Sequence, residues 1–171
     1  IACSPVHSQS FPYTFQTWDA NNGLSSNYCN TILQGANGYL YVGTNNGLYV
    51  FNGSNFKNAA HQAASELISE GNVEDVVTDA YNRIWFASIE HGVGLINLNE
   101  RKISIQYFVP PPADSFPNPQ ILNNSRVSKL CFDGNENLWV GIRVNGLFKL
   151  EKKKKKFMYV PVENSTAIYN K

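Results

Sequence analysis

One phrase, written three times, constrains this chain more than any other feature. Leu40-Tyr41-Val42-Gly43 is a short apolar run, followed by the polar turn Thr44-Asn45-Asn46 and a second run, Gly47-Leu48-Tyr49-Val50-Phe51. It recurs as Ile84-Trp85-Phe86-Ala87 with Gly94-Leu95-Ile96-Asn97-Leu98. It recurs again as Leu138-Trp139-Val140-Gly141 with Gly146-Leu147-Phe148-Lys149-Leu150. A sequence that repeats itself at a fixed distance builds a repeat architecture, and this governs the reading of every other segment.

The repeating unit is made of strands. Asn22-Gly23, Asn37-Gly38, Asn46-Gly47, Asn52-Gly53, Asp133-Gly134 and Asn145-Gly146 each stand between short apolar runs, which is the pattern of a tight hairpin. Nine Tyr, ten Phe and three Trp in 171 residues also favour strands over helices. Aligning on Tyr41, Trp85 and Trp139 places Gly35, Asp79 and Asp133 six residues earlier, and Gly38, Asn82 and Glu136 three residues earlier. A period of roughly 45 to 55 residues filled by four short strands is that of a propeller blade.

The expected first strands are 28–34, 73–78 and 127–132, and the aromatic second strands 40–43, 84–87 and 138–141. The expected third strands are 48–51, 95–98 and 147–150, and the fourth 55–58, 103–108 and 157–160. Tyr13–Trp18 reads as one extra N-terminal strand. The fold class is therefore all-β, a β-propeller fragment of about three four-stranded antiparallel blades, spanning approximately 28–58, 73–108 and 127–162. It occupies residues 11–171. Residues 1–10 are expected to be an export-signal remnant or a disordered leader, with Cys3 either lipidated or removed with a signal peptide. Two segments interrupt the period. Asn58–Gly71 holds the one helix-like patch, 59–68. Val109–Ser125 holds five prolines and reads as an irregular surface loop.

Several function classes find no support. A net charge of +1 gives no basis for nucleic-acid binding. No apolar run reaches 18 residues, so direct membrane insertion by a helix is not expected. Three cysteines with no CxxC spacing give no metal site and no complete disulfide set, and no cofactor is expected. His7, His61 and His91 stand apart, without HExxH, GxSxG or P-loop context. Asp79 and Asp133 occupy equivalent turn positions, where a carboxylate caps its own backbone. Tyr41, Trp85 and Trp139 are expected to pack between blades rather than stack on sugars. Lys152–Lys156 reads as a solvated hairpin turn.

Gly23-Leu24-Ser25-Ser26-Asn27, Ile32, and Gly38 through Leu48 together resemble the two-component regulator propeller repeat. Trp18-Asp19 through Ser26 is similar to the lead-in of such domains. The second unit departs, with Ala87 for the usual glycine, and the third has Ile142 where the family usually carries Thr. The resemblance implies the extracytoplasmic, ligand-sensing portion of a hybrid two-component receptor of gut Bacteroidetes. Such a portion is periplasmic and belongs to an inner-membrane receptor, with the histidine kinase in a separate downstream part. It implies an oligosaccharide ligand, contact with the remaining blades of the receptor, and a homodimer. A protein-interaction propeller is the alternative; a propeller lyase or hydrolase is a third reading.

Topology indicates where recognition would sit. In an up-and-down blade the second-to-third turns and the connections between blades emerge on one face. That face carries Asn45, Asn46, Glu90, His91, Arg143 and Asn145, which are the candidate ligand-binding residues. Recognition chemistry usually occupies loops over a rigid scaffold, and these side chains can hydrogen-bond hydroxyls or a carboxylate. The competing reading is that these are ordinary solvated loops and the ligand binds elsewhere in the receptor.

Overall fold

A computed structural model describes residues 13–21, 23–59, 71–99, 102–108, 126–143, 146–152 and 156–160. The leader 1–10, nearly all of the helix-like patch 59–68, the proline segment, Asn145 and the middle of the lysine run lie outside them.

Among the described residues, twelve strands form three sheets. The first contains β1 (Cys29–Gln34), β2 (Leu40–Thr44), β3 (Gly47–Phe51) and β4 (Phe56–Asn58). The second contains β5 (Val73–Thr78), β6 (Ile84–Ser88), β7 (Gly92–Asn99) and β8 (Lys102–Phe108). The third contains β9 (Val127–Phe132), β10 (Leu138–Ile142), β11 (Gly146–Glu151) and β12 (Lys156–Val160). Each sheet runs in sequence order, antiparallel throughout. These are three propeller blades of four strands, as the repeat requires. The first strands β1, β5 and β9 lie side by side, so they are the innermost strands.

Blades stack face to face, which explains the burial of the aromatic second strands. Every position of β6 is buried, and all of β2 but its first residue. A strand sandwiched between two sheets must be apolar on both faces. One core lies between blades one and two: Tyr41, Leu48 and Val50 meet Val73, Val76, Ile84, Phe86 and Ile96. Another lies between blades two and three: Trp85, Ala87, Val93 and Leu95 meet Val127, Leu130, Leu138, Val140 and Phe148. Each such large side chain contributes about 1.5–3 kcal/mol when fully buried. The cores between blades, more than the ladders within them, therefore hold the stack together. β10 alternates, with Leu138, Val140 and Ile142 buried and Trp139 and Gly141 only half-buried, because no described blade follows it.

The expected N-terminal strand is not formed. Residues 13–19 are not in a strand in the structure. Trp18 and Leu24 of the preceding segment instead cover part of the face of blade one that no described blade covers. The Trp18 ring meets Phe51 and Phe56 edge-on at 5.2 and 6.3 Å, and Leu24 packs on Val42 and Tyr49.

The expected crowding at the second-strand glycine holds where a neighbouring blade follows. A Cβ on Gly43 would lie 2.9 Å from the Val73 carbonyl oxygen and 2.8 Å from its side chain, and Ala87 is fully buried. At Gly141 the nearest atom is Lys129 Cβ, at an ordinary 3.6 Å.

Candidate functional site

The innermost strands carry a shared irregularity. In β1 the register steps from Cys29 to Thr31, in β5 from Val73 to Asp75, and in β9 from Val127 to Lys129. Asn30, Glu74 and Ser128 are thus the unpaired residues of three equivalent β-bulges. A bulge bends its strand and re-aims a side chain. Here the bulges sit at the end of the inner strands nearest the second-to-third turns.

Two of these side chains, Asn30 and Glu74, join a polar network that reaches all three blades, while the Ser128 hydroxyl donates to the Gly141 carbonyl of its own blade at 3.2 Å. Asn30 Nδ2 donates to Asn72 Oδ1 at 2.8 Å and to the Val73 carbonyl at 3.0 Å. Asn72 Nδ2 donates to Glu74 Oε1 at 3.3 Å, and Arg143 reaches Glu74 Oε2 at 3.6 Å. Glu90 Oε2 accepts the Asn72 backbone N–H at 2.8 Å. Deeper in, Asp75 accepts the Leu130 N–H at 3.0 Å, faces the Lys129 ammonium at 3.6 Å, and receives the Thr31 hydroxyl at 3.5 Å.

The structure brings some candidate residues together and separates others. Glu90 and Arg143 join one cluster through Asn72 and Glu74. His91 sits at its margin: its backbone N–H donates to Ser88 Oγ at 3.2 Å, and its ring lies 5.6 Å from that of Tyr107. Asn45 and Asn46 belong to a different group. Asn45 accepts the Ser26 hydroxyl and Asn46 Nδ2 donates to Ser25 Oγ at 3.0 Å, so both are tied to the N-terminal segment. Asn30, Asn72, Glu74 and Asp75 were not singled out from the sequence. The available signal was a high polar content in strands that otherwise read as core. Tyr107 was missed as well. Its hydroxyl is buried without a hydrogen-bond partner among the described residues, and burial pushes its pKa up.

On the opposite face the repeated aspartates do more than cap. Asp79 Oδ1 accepts the N–H of Tyr81 at 2.9 Å and of Arg83 at 3.0 Å. Its Oδ2 accepts Arg83 Nε at 2.6 Å and the Trp85 indole N–H at 3.0 Å. Asp133 repeats the device, taking Asn135 N and Asn137 N at 2.9 Å and Trp139 Nε1 at 2.9 Å. The turn thus fixes the aromatic that packs between blades. Blade one uses another solution. Gly35 replaces the aspartate, the Tyr41 ring passes within 2.7 Å of where a Cβ would stand, and Asn37 donates to the Tyr41 hydroxyl at 3.0 Å. Asn82 and Glu136 take positive φ in these turns, as Gly38 does in the first.

These hydrogen bonds set a pH dependence. Burial raises the Asp79 pKa, but the N–H groups of Trp85, Arg83 and Tyr81 outweigh it and hold the carboxyl below its ordinary 3.8. Asn137, through side chain and backbone, and then Trp139 hold Asp133 well below that value. A carboxyl with a lowered folded pKa stabilises the fold above its unfolded pKa, and that contribution is lost as pH falls through the folded value. The urea midpoint is therefore expected to be flat with respect to these groups above pH 5 and to fall below about pH 4. Asp133→Asn should flatten that decline, as followed by circular dichroism.

Residues 23–46 match the two-component regulator propeller repeat. No curated protein matches the chain. Among solved structures, the chain is similar to one described as the extracellular domain of the hybrid two component system BT3049 from B. thetaiotaomicron. The identity is 27%, covering 87% of this chain and 20% of that one, with a TM-score of 0.69. Two structures described as the extracellular domain of BT4673 from the same organism, in one case as a one component system and in the other as a hybrid two component system, share 20% and 21% identity. They cover 84% and 86% of this chain, with TM-scores of 0.61 and 0.60, and support the fold. The chain spans about a fifth of the length of the structures it matches. It therefore carries a two-component regulator propeller repeat within a three-blade propeller fold similar to that of the extracellular domains of Bacteroides hybrid two component systems.

Proposed function

We propose that this chain is part of the periplasmic sensing region of a hybrid two-component receptor, and that it recognises an oligosaccharide and relays its occupancy to a downstream kinase. The observation that carries this reading is the likeness over 87% of the chain to the extracellular domain of such a system. The cluster of Asn30, Asn72, Glu74, Glu90 and Arg143 supports a carbohydrate ligand. Amides and carboxylates alongside a guanidinium supply both donors and acceptors, which sugar hydroxyls need. Two of the bulges place Asn30 and Glu74 on innermost strands, where a ligand would bridge blades. Occupancy shifts a receptor only if the ligand favours one of its states, so a ligand that spans blades is suited to signalling. The chain's own role is binding; no catalytic step is assigned to it.

The partners follow from the same reading. Ile32 is exposed on the face of blade one whose counterparts in blades two and three, Val76 and Leu130, are packed against a neighbouring blade. That face suits the remaining blades of the receptor, and the receptor is proposed to work as a homodimer. Calorimetric titration of the whole extracellular region with a panel of glycan fragments tests the reading. Saturable heat from at least one glycan is expected. If no glycan binds while a protein partner is captured at a defined ratio, the scaffold alternative stands in its place.

A further inference from the structure

We propose that the cleft between the second and third blades, on the face away from the polar cluster, binds a small planar aromatic carboxylate. The cleft encloses about 150 Å³, and an apolar cavity of about that size holds one benzene ring. Its floor is Trp85, Leu95, Phe108, Phe132, Leu138 and Leu150. Trp85 already stacks on Phe108 at 5.3 Å and meets Phe132 edge-on at 5.9 Å. A ring entering there finds both the flat and the edge contacts that aromatic pairs prefer.

The mouth supplies the charge. Arg83 spends its Nε on Asp79, and its terminal guanidinium nitrogens have no hydrogen-bond acceptor among the described residues. The guanidinium carbon lies 5.3 Å from the Tyr81 ring centre and 5.7 Å from that of Trp85, so it stands at the entrance. A planar guanidinium with free N–H donors matches a carboxylate. Lys152 closes the other side, paired with Glu136 and donating to the Tyr81 hydroxyl at 2.8 Å. That pair offsets Glu136, as Arg83 offsets Asp79, and Glu151, which has an interaction partner of its own, also lines the cleft. A sugar fits the floor poorly, since its hydroxyls would be buried against six apolar side chains without partners. The site is independent of the carbohydrate reading.

The test is a tryptophan-fluorescence titration of the full chain with benzoate, benzyl alcohol and glucuronate. Benzoate is expected to bind saturably and about tenfold more tightly than benzyl alcohol, as a charge-assisted hydrogen bond requires. Arg83→Gln should erase that difference and leave benzyl alcohol unchanged. Gln106→Phe, at an exposed position lining the mouth, should weaken both ligands while the circular dichroism stays native. This second variant carries the test if Arg83→Gln does not fold. Absence of saturable benzoate binding, equal benzoate affinity in Arg83→Gln, or glucuronate binding as well as benzoate would each overturn the proposal.

Discussion

Replacing Asp79 with alanine is expected to destabilise the chain by about 3–4 kcal/mol, because several donors lose their acceptor at once. The Asp79 side chain is 3% exposed, so water does not readily replace it. Two backbone N–H groups, Arg83 Nε and the buried Trp85 indole N–H all point at its two oxygens. Leaving a buried donor unsatisfied costs about 1–3 kcal/mol each, and the exposed Arg83 can turn to solvent. The loss spreads beyond the turn, because Trp85 belongs to the core shared with Val127 and Leu130 of the next blade. Urea denaturation measures it. A double-mutant cycle with Trp85→Phe isolates the indole bond: Asp79→Ala should cost less when the indole N–H is already gone. Strict additivity would mean that this bond is energetically silent.

Gly43→Val is expected to cost about 3 kcal/mol or more, whereas the equivalent Gly141→Val should cost under about 1 kcal/mol. Both residues occupy the same place in the repeat. A Cβ at Gly43 meets Thr31 Cγ2 at 2.7 Å and the carbonyl of Val73 at 2.9 Å. The carbonyl belongs to the neighbouring blade's backbone and cannot turn aside, so blades one and two must move apart. At Gly141 the contacts are ordinary. Equal losses in the two variants, by thermal or urea unfolding, would show that the crowding at Gly43 lies within a blade and not between blades.

The fold was legible because each strand is announced locally. An Asn-Gly or Asp-Gly pair marks all three hairpins of blade one and two of blade three, though none of blade two, and the alternation between turns sets strand length. The roles of Asp79 and Trp85 were legible because Asp133 and Trp139 repeat them. What depends on pairing between strands was not. The bulges at Asn30, Glu74 and Ser128 arise from register against the second strands, and no residue type at those positions signals them. Glu90 was found as a polar loop residue, but its bond to the Asn72 N–H depends on how the two loops meet. Asn45 and Asn46 shared the expected face, yet Ser25 and Ser26 draw them into a separate group. Tyr13–Trp18 has the composition of a strand but does not form one.

The most direct test of the central claim is affinity for the proposed glycan ligand, measured in the whole extracellular region with alanine at Glu90, His91 and Arg143 in turn. Glu90 and Arg143 share one polar network and His91 borders it. Losses of about tenfold are expected for Glu90→Ala and Arg143→Ala, with a smaller loss for His91→Ala. Unchanged affinity in all three variants would contradict the assignment of recognition to this face.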